Sequence, residues 1–408
     1  MARLKRFNVT LFSSMIVLMS SDSANANNDW THWLEDSAFV PYLFSTDSLG
    51  VTAGVAGIVK GVGQPQASLF GTAMISSKGS YLGYVSFNNY QVATQWLLGG
   101  EIYQSQFNDY TYYLGQQAGN GSSLEDTTLA NGEDSRYRLS FRYILPWGEA
   151  EQKGVKAAVS PTRTLTGRTP FSSGVSSIDI QPYFESRDLD FIHAGFTSEK
   201  TTALEVKFEW DNRDDSRNPS AGSRTRFDVT YAPEAWNESS WGTWEIENTH
   251  YWDLGSVGEI FDKQVVAFGV YTADTPTWEH CSEEQCQRPP DVSQVKLGGL
   301  YRLRSYDSGR YHGRSAMHYT AEYRVMPQWQ PLGEWPIFKY YNVPWWQWVA
   351  FVDVGRVADD YNLKTLHTDM KWSAGGALRF QVEGVIVRAE MAWGAEQSSF
   401  IVMVNQPF

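Results

Sequence analysis

Carboxylates recur along this sequence at spacings that acid–base chemistry could use. Glu205, Glu209 and Asp211 lie close together, and paired carboxylates can serve as a general acid and a general base. No Gly-x-Ser-x-Gly motif, phosphate-binding loop or cluster of metal-ligating histidines accompanies them. The seven histidines are scattered from His32 to His367. We therefore expect no catalytic residue, no metal site and no cofactor, and we expect that the protein is not an enzyme; a hydrolase is the alternative.

Three other groups of residues are distinctive by their order along the chain. Residues 298–306 read Gly-Gly-Leu-Tyr-Arg-Leu-Arg-Ser-Tyr and contain Arg304 and Tyr306. The sequence Ala-Glu-Tyr-Arg with Glu322 follows, and then Phe-Val-Asp-Val-Gly-Arg with Asp353. Before them comes a segment rich in glycine, proline, asparagine and aspartate, which indicates a turn. Its marked residues are Asp211, Arg213, Asp214, Asn218, Pro219 and Gly222.

The segments that carry these residues alternate between apolar and polar side chains, which is typical of β-strands. Leu204 and Val206 alternate with Glu205 and Lys207, for example. Such segments are about ten residues long, as a membrane-crossing strand requires. In residues 346–354 the apolar face must meet lipid, so Asp353 lies on the opposite face.

The polar faces of these segments carry charges of both signs. This pattern fits a wide, water-filled lumen in which arginine and carboxylate side chains pair across strands. A large sheet protein of the periplasm would alternate in the same way and stays an alternative. We predict an all-β fold: a transmembrane antiparallel β-barrel of sixteen strands, with a long surface loop folded into the lumen.

Composition is consistent with a membrane barrel. Aromatic residues make up 15% of the chain, with 17 Trp and 22 Tyr, and aromatic side chains collect where strands cross the headgroup regions. The net charge of −13 comes without a basic stripe, so we expect no nucleic-acid partner.

The N-terminal residues indicate export. Arg3, Lys5 and Arg6 precede a short apolar run and an Ala-x-Ala site at 24–26, which predicts a signal peptide over residues 1–26. We expect a short periplasmic lead-in over 27–48 and the barrel over 49–408. Export favours a disulfide between Cys281 and Cys286, with two free thiols or a metal clip as the alternatives.

The strand prediction runs from residues 50–59 to residues 400–408 and includes a strand over 110–114. An even number of strands puts both termini in the periplasm. Counting back from the last strand assigns residues 213–222, 254–262 and 381–384 to periplasmic turns. Residues 232–242, 274–315 and 358–370 become surface loops. Between residues 90 and 176 the sequence leaves the strand positions open.

In their order, the three groups resemble the barrel domain of the bacterial surface antigen family, the superfamily of BamA/TamA-like outer-membrane proteins. That family has a D-x-R-D…N-P…G turn, a G-G…R-G-[FY] loop tip, A-E-Y-R and F-x-D-x-G strands, and a terminal aromatic residue. The resemblance covers about residues 204–408 and ends at Phe408. One position departs from the pattern, because Ser305 stands where the family has glycine.

The resemblance implies that Arg304 enters the barrel beside Tyr306 and pairs with Asp353, with Glu322 nearby. A carboxylate would offset the cost of placing a guanidinium in a narrow lumen. It also implies that Phe408 is the signal by which the barrel assembly machinery inserts the chain. Outer-membrane lipid and lipopolysaccharide are the other expected partners.

Members of the family insert or export proteins, and periplasmic POTRA domains collect their clients. The short lead-in leaves no room for such a domain. We therefore expect a barrel of the bacterial outer membrane, in a Gram-negative cell, that assists protein insertion or translocation together with a separate periplasmic partner. A passive or gated solute channel and a structural surface antigen are the alternatives.

Overall fold

The computed structural model describes residues 38–46, 49–191, 195–281, 286–335, 343–382 and 385–404 of the 408-residue chain. The predicted signal peptide and Phe408 lie outside the described residues. In the described part, eighteen strands and three short α-helices form an all-β structure. The strands are β1 (Ala38–Thr46), β2 (Gly50–Lys60), β3 (Ser68–Ser76), β4 (Tyr81–Ala93), β5 (Trp96–Tyr112), β6 (Thr128–Ile144), β7 (Val175–Phe191), β8 (Gly195–Arg213), β9 (Gly222–Ala232), β10 (Trp241–Val257), β11 (Phe261–Asp274), β12 (Val295–Leu297), β13 (Tyr311–Gly313), β14 (Ser315–Pro327), β15 (Trp346–Ala358), β16 (Lys371–Val382), β17 (Val385–Gly394) and β18 (Ser398–Val404). The helices are α1 (Ala150–Lys153), α2 (Val155–Val159) and α3 (Leu363–Leu366).

Sixteen of these strands form one antiparallel sheet in which each strand pairs with its neighbours in sequence. Only β12 and β13 stand apart, as a separate two-stranded hairpin inside the connection from β11 to β14. We call this connection, residues 275–314, the lumen loop. The predicted fold class and the number of sheet strands are confirmed.

Contacts between distant strands show that the sheet is curved into a barrel. β5 and β18 are eleven places apart in the strand order, which would separate them by roughly 50 Å in a flat sheet. Yet Asp307 of the lumen loop contacts a residue directly after β5 and a residue directly before β18. Its carboxylate accepts from Tyr113 Oη at 2.8 Å and from Gln397 Nε2 at 2.8 Å. The sheet therefore wraps around the lumen loop.

Side chains alternate between the two surfaces of this wall as the sequence predicts. On β15, Trp348 is 52% and Val352 is 44% exposed on the outside, whereas Asp353 is fully buried inside. On β8, Leu204 and Val206 face outward and Glu205 faces the interior. A one-residue shift in strand pairing would reverse both faces, so the alternation fixes the register.

The first strand corrects the predicted start of the sheet. β1 lies within residues 27–48, which we expected to be a periplasmic lead-in. Its sequence, Ala-Phe-Val-Pro-Tyr-Leu-Phe-Ser-Thr, is nearly all apolar and contains Pro41, so period-two alternation could not reveal it. Proline is tolerated at the edge of a sheet, and β1 stands at one end of the strand order.

The strand predicted over residues 110–114 is wrong. β5 runs without interruption to Tyr112, and its pairing with β6 shifts register between Phe107 and Tyr110. Asp109 has a φ of +49° there. An asparagine and an aspartate in mid-strand look like a turn in sequence, but here they form a β-bulge. This error and the missed β1 cancel in the strand count.

The connections lie at two ends of the barrel. The loop end holds the lumen loop, whose bounds match the predicted loop over residues 274–315. At the opposite end, the turn end, two connections are long: residues 145–174, which contain α1 and α2, and residues 328–345. The first of these packs Val155 and Ala157 against Leu97 and Ile144 at the ends of two strands. It also contacts the β8–β9 turn, because Arg163 N donates to Asp214 O at 2.7 Å.

Candidate functional site

The lumen loop is anchored by an apolar cluster inside the barrel. Val295, Leu297, Leu303, Tyr306 and Tyr311 of the loop are buried against side chains of the wall. The wall residues are Tyr271, Ala273, Ala316 and Val357. Burial of this apolar surface stabilises the folded-in position of the loop.

Glycines allow the loop to turn back sharply before its tip. Gly298 and Gly299 have φ values of +101° and +113°, and a Cβ on Gly298 would lie 2.3 Å from Asp307 O. The tip closes with a hydrogen bond from Tyr306 N to Leu303 O at 3.0 Å. This turn projects Arg304 toward the strands β14 to β18.

Arg304 is fully buried and binds Asp353 with two parallel hydrogen bonds. Nε donates to Oδ2 and Nη2 donates to Oδ1, both at 2.9 Å. Nη1 donates to Glu322 Oε1 at 2.6 Å and approaches Glu390 Oε2 at 3.4 Å. The guanidinium also lies 3.5 Å from the ring centroid of Phe351. The structure thus brings together Arg304, Glu322 and Asp353 as the resemblance implies.

Several partners in this cluster were not singled out from the sequence. Thr320 and Ser373 donate to Asp353 at 2.8 and 3.0 Å, and Ser399 Oγ donates to Arg304 O at 2.6 Å. Glu390 supplies a third carboxylate. All four lie on the lumen face of their strands, so period-two alternation could have selected them as lumen residues without identifying their partner.

The departure from the family pattern at Ser305 is matched by a glycine opposite it. Ser305 is buried, and its Oγ lies 2.2 Å from where a Cβ on Gly394 would be. The absence of a side chain at Gly394 therefore makes room for the hydroxymethyl group of Ser305. Tyr306 is buried beside the same glycine and packs edge-on against Tyr311 at 5.4 Å between ring centroids.

Further ion pairs hold the lumen loop to both sides of the barrel. Arg302 pairs with Glu247 on β10 and lies 3.6 Å from the ring centroid of Tyr271. Arg310 pairs with Glu396 at 2.9 Å, and Tyr311 Oη donates to the same carboxylate at 2.9 Å. The loop is therefore attached through charged side chains to two parts of the wall, β10 and the β17–β18 turn.

Two partly buried charges, Asp291 and Lys296, lie near the start of the β12–β13 hairpin. Burial raises the pKa of Asp291, but the ring of His312, 3.8 Å away, and the N–H of Gly115 together hold that pKa below its ordinary 3.8. Burial lowers the pKa of Lys296 to about 8, and the nearby Arg187 adds to this effect. Gly115 belongs to the β5–β6 connection, so Asp291 links the two loops.

The turn motif forms a dense network at the turn end. Arg213 binds the carboxylate of Asp211 through Nε at 2.8 Å and Nη2 at 3.1 Å. Asp214 accepts from the backbone N–H groups of Ser220 and Ala221 at 2.8 and 3.0 Å.

The rest of the motif fixes the shape of this turn. Gly222 has a φ of +94°, and a Cβ there would meet Asn212 O at 1.9 Å. Pro219 is buried within the turn. Asn218 Oδ1 accepts from Gln347 Nε2 on β15 at 3.0 Å, so the turn reaches a strand that lies four places beyond β9 in the sheet.

Cys281 and Cys286 are joined by a disulfide near the start of the lumen loop. Among the described residues, no group of three or more His, Cys, Asp or Glu side chains could hold a metal ion. The same residues include no helix that is long and apolar enough to span a membrane.

Comparisons with known proteins agree with this architecture. The Omp85 superfamily domain model matches residues 61–397. The chain is similar to the structure of BamA from Haemophilus ducreyi lacking POTRA domains 1–3, with a TM-score of 0.55 and 11% identity over 96% of this chain and 75% of that one. No curated protein matches.

Two structures of CdiB are also similar to this chain. CdiB from Escherichia coli gives a TM-score of 0.56 and 12% identity over 97% of this chain and 66% of that one. CdiB from Acinetobacter baumannii gives a TM-score of 0.53 and 10% identity over 90% of this chain and 58% of that one. The chain therefore spans less than two thirds of the length of both CdiB chains.

Proposed function

Because the chain belongs to the Omp85 superfamily of outer-membrane β-barrels, we propose that it assists the insertion or translocation of a protein client at the bacterial outer membrane. In this proposal the lumen loop is a gate. Its resting position closes the barrel, and movement of the loop opens the interior. The loop end faces the cell surface and the turn end faces the periplasm, where a separate partner delivers the client.

The buried contact of Arg304 with three carboxylates carries this proposal. Such a contact has two discrete states, because partial withdrawal would leave both signs of charge unpaired in a desolvated lumen. A gate needs two such states rather than a gradual change. The proposal assigns no catalysis to the cluster, since Asp353 and Glu322 are occupied as hydrogen-bond acceptors.

Conductance in planar bilayers tests the gate. We expect the intact protein to show little steady conductance and a variant lacking residues 298–306 to show a large one. Asp353→Asn should fall between them, because it removes the charge but keeps the shape of the partner. A large steady conductance of the intact protein would contradict the gate.

Quantitative proteomics of the outer membrane tests the client role. A deletion strain should lose particular outer-membrane or secreted proteins, and the wild-type gene should restore them. A strain that carries Arg304→Ala should keep the defect when its expression is adjusted so that the level of folded barrel equals that of the wild type. An unchanged proteome with a conducting barrel would favour a gated solute channel, and an unchanged proteome without conductance would favour a structural surface antigen.

A further inference from the structure

A second buried arginine lies below the loop-tip cluster, toward the turn end, and forms no ion pair with a carboxylate of the described residues. Arg379 on β16 is fully buried, and its Nη1 donates to Gln347 Oε1 at 3.1 Å. Its Nε and Nη2 have no hydrogen-bond partner in the part of the chain that the structure describes. A buried guanidinium without a counter-charge is costly, so the arrangement is incomplete as it stands.

The neighbours of Arg379 increase this cost. Arg388 is its direct cross-strand partner in the pairing of β16 with β17, and like charges in opposed positions destabilise a sheet. Arg388 directs Nε and Nη2 to Glu390 and Glu322, while its Nη1 has no partner.

The charges of the whole cluster do not balance. Its four arginines, all with 0% exposure, face three carboxylates with 2% exposure or less. The arginines are Arg304, Arg324, Arg379 and Arg388, and the carboxylates are Glu322, Asp353 and Glu390. Among the described residues, the cluster therefore has one more positive than negative charge.

The unoccupied atoms of Arg379 have the geometry that binds two oxygens. Nε and Nη2 form one edge of the guanidinium. Arg187 uses this edge to bind Asp134 at 2.8 and 2.9 Å, and Arg213 uses it to bind Asp211 at 2.8 and 3.1 Å. The same edge of Arg379 therefore fits a carboxylate or a tetrahedral oxyanion.

Two hydroxyl groups nearby also lack hydrogen-bond partners among the described residues. The hydroxyl of Tyr251 on β10 has none, and its ring centroid lies 5.3 Å from the guanidinium carbon of Arg324. Thr249 lies two residues before Tyr251 on the same face of β10, and its hydroxyl also has no hydrogen-bond partner among the described residues. Thr249 lines a cavity of about 390 Å³. The β8–β9 turn covers the cluster from the turn end through the bond between Asn218 and Gln347.

We propose that Arg379 and Arg388 form a binding site for a small oxyanion at the turn end of the lumen. The ligand is a carboxylate or a phosphate-type anion, held by the Nε/Nη2 edge of Arg379 and by Nη1 of Arg388. It comes either from solution as a free inorganic anion or from an acidic side chain of a peptide that enters at the turn end. This site does not depend on the proposed function and would exist in a barrel of any role.

Equilibrium dialysis of the purified full-length protein with [35S]sulfate tests the site. We expect saturable binding with a stoichiometry near a single sulfate per chain. Arg379→Gln should weaken binding on the order of tenfold or more, the loss expected when a charged hydrogen-bonding partner is removed. Arg379→Lys should give an intermediate loss, because it keeps the charge but not the two-donor edge. Arg136→Gln is the matched control, since Arg136 already binds Glu185 at 3.0 Å.

Competition distinguishes the two sources of the anion. If phosphate displaces the bound sulfate and tetraglutamate does not, the ligand is a free inorganic anion. If tetraglutamate displaces sulfate at similar concentrations, the ligand is a side-chain carboxylate. Either result supports the site. Absence of saturable binding, or equal binding by Arg379→Gln, overturns it.

The midpoint of thermal unfolding, Tm, gives a second test of the site. Its expected outcome is an increase in Tm, which a variant that simply folds poorly would not show. Without oxyanions, Arg379→Gln should have a higher Tm than the wild type, because it removes an unpaired buried charge. Sulfate should raise the Tm of the wild type and leave that of Arg379→Gln unchanged. A lower Tm of Arg379→Gln that is independent of sulfate would show a purely structural role and overturn the proposal.

Discussion

At the residue scale, Arg304 neutralises carboxylates that come from different strands. Its removal leaves Asp353, Glu322 and Glu390 close together without their common partner. We expect Arg304→Ala to lower the free energy of unfolding by about 3–5 kcal/mol, the usual cost of removing one member of a buried pair. Urea unfolding of the protein in lipid vesicles measures this.

Arg136→Gln provides the comparison for Arg304→Ala. The side chain of Arg136 is 40% exposed, so the loss of its pair with Glu185 should cost only about 0–1 kcal/mol. Equal losses for the two variants would show that burial does not strengthen the Arg304 contact.

Ser305 and Gly394 make a second residue-scale prediction. A methyl group at Gly394 would lie 2.2 Å from Ser305 Oγ, so Gly394→Ala should destabilise the docked loop. The double variant with Ser305→Gly should recover part of the loss. Recovery should be incomplete, because Trp372 O and Tyr306 Cε2 also lie 3.0 and 3.1 Å from the added carbon. Thermal unfolding of the four proteins in the cycle checks this, and strictly additive effects would contradict it.

At the scale of elements, the lumen loop and the β5–β6 connection are joined at Asp291, which makes the junction sensitive to acid. Its carboxylate accepts from Gly115 N at 2.8 Å. Because the pKa of Asp291 is held below its ordinary 3.8, its charge stabilises the junction above that pH. The stabilisation is lost as the pH falls through the lowered pKa. We therefore expect bilayer conductance to rise when the pH drops below about 4.

Two variants separate Asp291 from its neighbours in that experiment. Asp291→Asn should show increased conductance at neutral pH and a smaller acid response. Glu199 accepts from the N–H groups of Asp291 and Val292 at 3.2 and 3.1 Å and interacts electrostatically with the Asp291 carboxylate, so Glu199→Gln tests its share of the acid response. An unchanged acid response in Asp291→Asn would assign the effect to other carboxylates.

Elements also show what sequence reasoning can recover. The strands β8, β14 and β15 alternate strictly, because one face meets an apolar surface and the other a charged interior. The alternation predicted all three strands, although β8 begins at Gly195, several residues before the predicted start at residue 202. The prediction missed β1 because the residues of this strand do not alternate. It divided β5 into two strands because the bulge at Asp109 contains residue types that usually form turns. Alternation of apolar and polar residues indicates that a strand has one apolar and one polar side. It therefore does not identify a strand whose two sides are alike, or one whose pleat is interrupted by a bulge.

At the scale of the whole molecule, the family motifs located the loop tip, but not its full set of partners. Arg304, Glu322 and Asp353 follow from the motifs. Glu390, Thr320 and Ser399 depend on how far the barrel curves and how strands are staggered, and a single sequence does not encode those quantities locally. The unpartnered edge of Arg379 is of the same kind, because it is visible only once the neighbouring strands are paired.

The C-terminal residue gives a prediction for the molecule as a whole. If Phe408 is the signal for the assembly machinery, deletion of this residue should reduce the amount of folded barrel in the outer membrane several-fold. Phe408→Trp should keep normal levels, because it keeps an aromatic terminus. The fraction of protein that migrates as a compact, heat-modifiable band measures folding in cells. Equal levels of the deletion variant and the wild type would show that insertion does not depend on Phe408.

The contacts of Arg304 have a consequence for the order of assembly. They draw on β14, β15, β17 and β18, so they cannot form until these strands have paired in the correct register. The loop tip is therefore among the last parts of the molecule to reach its place. If the lumen loop is the proposed gate, a nearly complete barrel stays open until the tip docks. We would then expect the time between strand pairing and docking of the tip to be an interval of permeability, which a fast docking step shortens.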